Sequence, residues 1–305
     1  MVKYIFNRFL ISLITVWVLI TVTFFLVRLV PGDPFSSDKI TPEIKANMMK
    51  YYGLDKPLHQ QYISYLGHLV QGDLGNSLWY KARRVNDVIA NNFPVSANLG
   101  LRALVFATIT GGVLGIIAAL NHDKGWDRFS ILIAVIGISV PNFIIAGLIQ
   151  WFFGVKLHWL PVATYKSFAH TIMPTFVLGL GTLASLAKYM RASMLEVIGQ
   201  DYIKTAKAKG LSPIQVTVKH QIRNALLPII TIMGPTIAGL FTGGLIVESI
   251  FAIPGLGQYF VKSVRYLDYP MIMGTTIFYG AFLVMMNFVV DIVYGLIDPR
   301  IRVAK

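Results

Sequence analysis

Apolar positions along this chain are gathered into long blocks, not alternated or spaced around a single helical face. Counted from one charged residue to the next, the uncharged stretches run from Phe9 to Val27 (19 residues), Ala103 to Asn121 (19), Phe129 to Val155 (27), Ser167 to Ala187 (21), Asn224 to Val247 (24) and Tyr269 to Val290 (22). A helix needs roughly 20 apolar residues to cross the hydrocarbon of a bilayer, so the pattern predicts six spans. The first block follows Lys3 and Arg8, and Arg28-Leu29-Val30-Pro31-Gly32-Asp33 succeeds it instead of a small-x-small cleavage site. It reads as an uncleaved anchor.

Between the blocks, two segments are too long for plain connectors. Residues 31–94 read as a small extracytoplasmic insertion: Pro42-Glu43-Ile44 opens a polar helix and Gly53-Leu54-Asp55-Lys56-Pro57 marks a turn. Tyr62, Tyr65, Leu66 and Leu69 then share one face of an amphipathic helix. Such an insertion either covers a pore mouth or simply connects. The second segment, 188–227, sits inside a core of residues 95–297, flanked by an N-terminal helix over 1–30 and a tail over 298–305. From Arg191 to Lys209 its pattern is helical, with Gly199, Tyr202, Ile203, Ala206 and Gly210 on one face. Gly210 suits the position just past a helix end, and Ser212-Pro213-Ile214-Gln215 has the form of a capping box that restarts the chain as a second helix. A small-residue face projecting from the bilayer fits a groove on a partner protein. The alternative is a helix lying on anionic lipid through its lysines.

Composition sharpens the class. Hydrophobic residues make up 55% of the chain and charged residues only 13%, against about 25% charged in a soluble domain; a water-soluble enzyme is excluded. The absence of cysteine removes disulfides, thiolate metal sites and cysteine nucleophiles. The six histidines show no metal-ligand spacing, and no nucleophile is paired with a base.

The net charge of +13 reports orientation. With a cytoplasmic N-terminus, the short inner segments hold 14 basic residues and the short outer loops only four, namely Lys156, Lys166, Lys262 and Arg265, as the positive-inside rule requires. Both termini are then cytoplasmic. No basic cluster interleaved with stacking aromatics points to nucleic acid.

Candidate pathway chemistry is sparse. Glu248 and Asp291 are acids beside the last two spans, which keeps a proton-coupled carrier in view. Their position at span ends favours a hydrated or ion-paired charge. Ser139, Asn142 and Gln150 are polar groups in the third block, able to face a solvated pathway. The apolar loop Phe251–Phe260, with Pro254-Gly255 at its centre, reads as part of an outer gate or as static packing. Gly111 and Gly115, and likewise Gly239 and Gly243, have the spacing that lets helices approach closely, with packing inside the subunit as the expected use. Gly234-Pro235 is a potential kink in span five. No Gly-x-x-x-x-Gly-Lys-Ser/Thr occurs, so any ATP-driven step needs a separate ATPase.

Several of these segments resemble a known family. Asp201-Tyr202-Ile203-Lys204-Thr205-Ala206-Lys207-Ala208-Lys209-Gly210-Leu211-Ser212, followed by His220-Gln221-Ile222-Arg223-Asn224-Ala225-Leu226-Leu227-Pro228, is similar to the cytoplasmic loop of ABC-importer permeases of the oligopeptide, dipeptide and nickel branch. Lys204-Thr205-Ala206 stands where the general importer pattern has Glu-Ala-Ala, a departure that favours the peptide branch over sugar or amino-acid importers. Val30-Pro31-Gly32-Asp33-Pro34, Tyr52–Pro57, Gly72-Asp73-Leu74-Gly75, Ile250–Gly257 and Asp298-Pro299-Arg300-Ile301-Arg302 extend the likeness, closest to the first permease subunit of oligopeptide importers.

The resemblance implies an all-α, polytopic membrane protein of type I ABC importer architecture in a bacterial inner membrane. Its partners would be a second homologous permease, two cytoplasmic ATPases that bind ATP and Mg, and an extracytoplasmic peptide-binding protein. The chain itself would bind no cofactor and catalyse nothing. Gly199, Asp201, Tyr202, Ile203, Ala206, Gly210 and Leu211 are the expected ATPase-docking residues; Ser139, Asn142, Gln150, Glu248, Pro254 and Gly255 are the pathway and gate candidates.

Overall fold

A computed structural model describes residues 2–29, 45–46, 49–50, 53, 55–80, 83–242 and 244–297. The Val30–Pro34 motif, the Pro42-Glu43-Ile44 helix start, the 298–305 tail and Gly243 lie outside the described residues. Among the described residues the secondary structure is helical, apart from an isolated bridge between Asn76 and Arg84. The elements are α1 (Val2–Leu29), α2 (Leu58–Val70), α3 (Val85–Leu120), α4 (Gly125–Ser139) and α5 (Asn142–Ile149), which continues as a wider π-helical turn through Lys156. Then follow α6 (Ala169–Ile198), α7 (Asp201–Ala208), α8 (Pro213–Gln215, continued by a π-helical turn to Ile222), α9 (Leu227–Phe241), α10 (Leu245–Ile250), α11 (Leu256–Arg265) and α12 (Tyr269–Ile297).

Five stretches are long and apolar enough to cross a membrane: Tyr4–Leu29, Val85–Leu120, Ala169–Ile198, Leu227–Ile250 and Tyr269–Val293. The third block is divided, because α4 and α5 meet at 106°. Val140 is extended there (φ −88°, ψ 123°), as the residue before Pro141 must be when the proline ring crowds the helical region. The bend does not turn the chain back. Asp127 at the start of α4 is tied to Arg191 near the end of α6, whereas Gln150 beyond α5 reaches the Ile250 carbonyl, and the Thr164 amide just before α6 reaches the Phe251 carbonyl. The broken pair therefore travels from one end of α6 to the other, as a sixth, bent span.

Two boundaries differ from the sequence reading. α3 begins at Val85, so the insertion boundary drawn at residue 94 falls inside a continuous helix. The helix expected over Arg191–Lys209 is two helices: α6 runs to Ile198, and α7 restarts at Asp201 after an extended Gln200 (ψ 147°).

Packing centres on α3 against α6. A Cβ on Gly111 would lie 2.6 Å from the Leu183 carbonyl, and one on Gly115 would lie 2.6 Å from that of Ala187. The two backbones thus approach through the small-residue stripe, as the spacing predicted for this pair. Gly239 behaves differently, with nothing within 4 Å of its Cβ position. α1 packs on α12 through Phe9 on Phe288 and Leu19 over Gly280, while Phe6, Leu10, Trp17 and Val22 stay exposed on its other side, suited to lipid. Pro235 sits within α9 without breaking it; α9 ends at Phe241 and α10 begins at Leu245.

α2, within the insertion, packs onto α1 and α12. α2 lays Tyr62 and Tyr65 on Phe24, Val27 and Met273, the face its periodicity predicted. Two polar ties fix it: the Tyr62 and Thr21 hydroxyls are 2.6 Å apart, and Arg28 donates to the Gln61 side-chain oxygen.

Candidate functional site

Three places at membrane depth or at the ends of the spans combine polar chemistry with a constrained backbone. They are the loop between α6 and α9, a cluster at the insertion end of the bundle, and a groove midway between.

In the loop, the local signals act as read from the sequence. Gly210 takes a left-handed conformation (φ 77°) just past α7. Its amide donates to the Lys207 carbonyl and that of Leu211 to the Ala206 carbonyl, the pair of bonds that closes a helix C-terminus. Ser212 caps α8, with its side chain accepting from the Gln215 amide while the Gln215 side chain accepts from the Ser212 amide. The face of α7 is where the structure corrects the sequence. Ile203 is fully buried and Ala206 5% exposed, packed on Met190, Met194, Val216, Ala225 and Ile229 of the same chain; Leu211 joins the edge of that cluster. The small-residue face turns inward because α8 and its continuation fold back beneath α7 and need an apolar lid. Gly199 ends α6 and is not part of α7. Of the expected docking residues, Gly199, Asp201, Tyr202 and Gly210 are exposed, joined by Ile214 and Val218, which the spacing argument did not single out.

At the insertion end, Glu248 is fully buried, not a hydrated or ion-paired end charge. Its carboxylate accepts from the Ser96 hydroxyl (2.7 Å) and the Gly257 amide (3.0 Å), and Ser96 in turn accepts from the Leu256 amide (2.9 Å). The carboxylate thus caps the start of α11 from outside that helix, a favourable place for negative charge. A Cβ on Gly255 would collide with this carboxylate, so glycine is required there. Phe251, Ile253 and Leu256 are buried by the same arrangement, leaving Pro254 exposed at the tip. Gln150 belongs to this cluster, its amide nitrogen donating to the carbonyls of Val162 (2.7 Å) and Ile250 (3.3 Å). Asp291, at the opposite end, does pair with a base: Arg8 lies 3.1 Å away.

Two further acids went unnoticed in the sequence. Asp268 is fully buried before α12 and accepts from the Ser77 hydroxyl and from the amides of Leu78 (3.0 Å), Trp79 (3.3 Å) and Met271 (3.3 Å). It fastens the insertion to the last span, and Trp79 stacks on Tyr266 alongside at 3.7 Å. Burial pushes its carboxyl above the ordinary range, against the opposing pull of these hydrogen bonds. An acid immediately before an apolar block is a helix-start signal that was available. Asp127 is 1% exposed and forms a two-pronged pair with Arg191 (2.6 and 2.8 Å). His122, Asp123 and Asp127 come close together, but both Asp127 oxygens are engaged, by Arg191 and by the Asp123 amide.

The groove, about 440 Å³, lies between the middle of α6 and the middle of α9, with the start of α5 at its rim. Asn142, Thr182, Ser185 and Thr236 supply its polar groups, among Leu178, Ile232, Pro235 and Gly239. Of the third-block candidates, the structure brings only Asn142 here; Ser139 lines a separate cleft with Lys188 and Arg191. The bend at Pro141 explains the separation, since it turns α5 away from the line of α4.

Comparison with known proteins agrees with this architecture. The description "Binding-protein-dependent transport system inner membrane component" fits residues 111–303, and that of the N-terminal portion of such components fits residues 1–100. A dipeptide transport system permease protein, DppB of Bacillus subtilis (strain 168), is 47% identical over 100% of this chain and 99% of its own length. An oligopeptide transport system permease protein, OppB of Haemophilus influenzae, is 42% identical over 99% of this chain and 100% of its own. Among solved structures, an inward-facing MetNI methionine ABC transporter chain superposes with a TM-score of 0.55 at 16% identity, covering 69% of this chain and 96% of that one, a likeness of fold. With whole-length similarity to such permeases and a bundle of five spans and a sixth, bent one, the chain belongs to the family of binding-protein-dependent transport system inner membrane components, as an ABC-importer permease of the oligopeptide and dipeptide branch.

Proposed function

We propose that this chain is one of two homologous permease subunits of an ATP-driven importer of short peptides, that it forms half of the translocation pathway, and that it couples that pathway to separate ATPase subunits. Oligopeptides are the first cargo to test, dipeptides and nickel the next. The observation that carries the reading is the mid-span groove, where the side chains of Asn142, Thr182 and Ser185 have no hydrogen-bond partner among the described residues, on a subunit whose relatives are named for peptide transport. Both termini and the α6–α9 loop face the cytoplasm, and the insertion faces outward toward a peptide-binding protein. ATP and Mg are bound by the ATPases.

Within the loop, the outward side of α7 and α8 meets the ATPase. Tyr202, Ile214 and Val218 are apolar and exposed (44%, 77% and 56%) among Lys204, Lys207 and Lys209, a mixed surface suited to a protein groove. Closure of the ATPases on ATP would move this rigid lobe and so bias the pathway between inward and outward states. A proton-coupled carrier is less well supported, because Glu248 and Asp291 are both engaged away from the groove.

Uptake of a labelled tetrapeptide into vesicles carrying the assembled complex decides between the two. Uptake that needs ATP and survives a proton uncoupler is expected. ATP-independent uptake that an uncoupler abolishes would overturn the reading.

A further inference from the structure

The hydroxyls of the membrane-spanning helices show a habit. Thr15, Thr21, Thr110, Thr236, Ser249 and Thr275 each donate to the carbonyl four residues earlier in their own helix, at 2.5–2.9 Å. That is the ordinary way to satisfy a hydroxyl in apolar surroundings. Like Thr23, Thr108, Thr175 and Thr276, Thr182 and Ser185 in the middle of α6 do not follow it, and of these hydroxyls they are the two that line the groove. Neither makes a hydrogen bond to any described residue, and nor does the Asn142 side chain across the groove from them. All three are incompletely buried. The groove they line carries no charged side chain among the described residues, and Gly239 opens its far wall.

Hydroxyl and carboxamide groups both donate and accept. They therefore match the N–H and C=O of an extended peptide equally well, whatever side chains it carries. A fixed charge in the same place would select for the opposite sign, and a wall of aliphatic groups would strand the peptide's backbone groups unpaired. A volume of about 440 Å³ accommodates a short peptide segment and falls in the usual range for small-ligand sites, about 300–1,000 Å³.

We propose that Asn142, Thr182 and Ser185 form a backbone-reading, charge-indifferent peptide subsite at the middle of the pathway. This inference rests on the peptide-import reading above. Selection for side-chain charge is then made before the peptide reaches this point. The subsite holds cargo by main-chain hydrogen bonds that are weak enough to release it.

This chain has no cysteine, so single substitutions Thr182→Cys and Ser185→Cys give its only thiols, and modification of this subunit in the assembled transporter reports on the groove. Cationic and anionic membrane-impermeant thiosulfonates should modify both positions at similar rates, and a transported tripeptide should slow the reaction. In parallel, uptake of acidic and basic tripeptides is compared in wild type, Ser185→Asp and Ser185→Lys. The two charged variants should shift the acidic-to-basic uptake ratio in opposite directions, each by about tenfold or more, since a fixed charge in a low-dielectric groove acts strongly on a passing one.

Modification by one reagent charge only would overturn the charge-indifferent subsite, as would an unmoved ratio in charged variants that still transport. Absence of modification in a transporter that still imports peptide would show the groove covered by the second permease, and would also overturn it. Failure of the import reading is distinguishable, because wild-type vesicles would then take up neither tripeptide.

Discussion

Glu248 and Ser185 are both polar residues on membrane-spanning segments, and this chain treats them in opposite ways. Every oxygen that Glu248 offers has a partner: Ser96, Gly257, and, through its backbone carbonyl, Ile253 and Gln258. Ser185 has none among the described residues. At membrane depth an unpaired polar group is costly. A group satisfied inside the chain is accordingly part of the fold, and one left open on the groove is available to water, cargo or a partner subunit; the Thr175 hydroxyl, buried without a partner, belongs to neither class. Asp268 and Asp127 fall with Glu248, for they join segments distant in sequence; Asn142 and Thr182 fall with Ser185. Within eight residues, α7 repeats the contrast, Ile203 and Ala206 turned in and Tyr202 turned out.

The largest effect should come from charging the inward side of α7. Ala206→Asp buries a carboxylate among Met190, Met194 and Ile229, at a cost of about 3–5 kcal/mol. The permease should lose thermal stability in detergent before any ATPase is added. Tyr202→Ala should leave stability unchanged and weaken ATPase copurification. If Ala206→Asp is as stable as wild type, the inward assignment of that face is wrong.

Next comes the cluster at the insertion end. Glu248→Ala strands the Gly257 amide and the Ser96 hydroxyl in a buried site, about 2–3 kcal/mol by the cost of unsatisfied groups. Glu248→Gln keeps an acceptor and should recover more than half of that loss. Equal loss in both variants would mean that the charge at the start of α11, not the hydrogen bonding, is what matters.

Asp268 offers a gentler test through pH. Its carboxyl titrates higher in the folded chain than in the unfolded one, because burial disfavours the charged form. The folded state therefore binds the proton more tightly, and stability from this group is present at low pH and lost as pH rises through the raised value. Thermal midpoints of wild type relative to Asp268→Asn should increase as pH falls from neutrality toward the ordinary carboxylate range. A difference that is flat across that range would remove Asp268 as the titrating group.

The smallest effect is expected in the groove. Thr182→Ala with Ser185→Ala removes hydroxyls that bond to nothing in the chain, so stability should change by no more than about 0.5 kcal/mol, while uptake of acidic, basic and neutral peptides falls together. A marked loss of stability would show that these hydroxyls serve the fold after all, and the contrast with Glu248 would collapse.

Much of this was legible in the sequence for local reasons. Block length set the spans, because the hydrocarbon thickness is fixed and a helix rises a fixed distance per residue. The Gly210 turn and the Ser212 capping box act over four or five residues, so they were visible without a fold. Gly111 and Gly115 announced close packing because only small residues permit it. Which side of α7 faces inward was not legible: Ile203 and Tyr202 are both apolar neighbours, and the choice was made by α8 and its continuation folding back beneath the helix. Likewise no local pattern pairs Glu248 with Ser96 across 152 positions, or Asp268 with Ser77 across 191. Periodicity can say that a side chain is polar and in a membrane span. Only the tertiary arrangement supplies or withholds its hydrogen-bonding partner, and that decides whether the residue holds the fold together or waits for cargo.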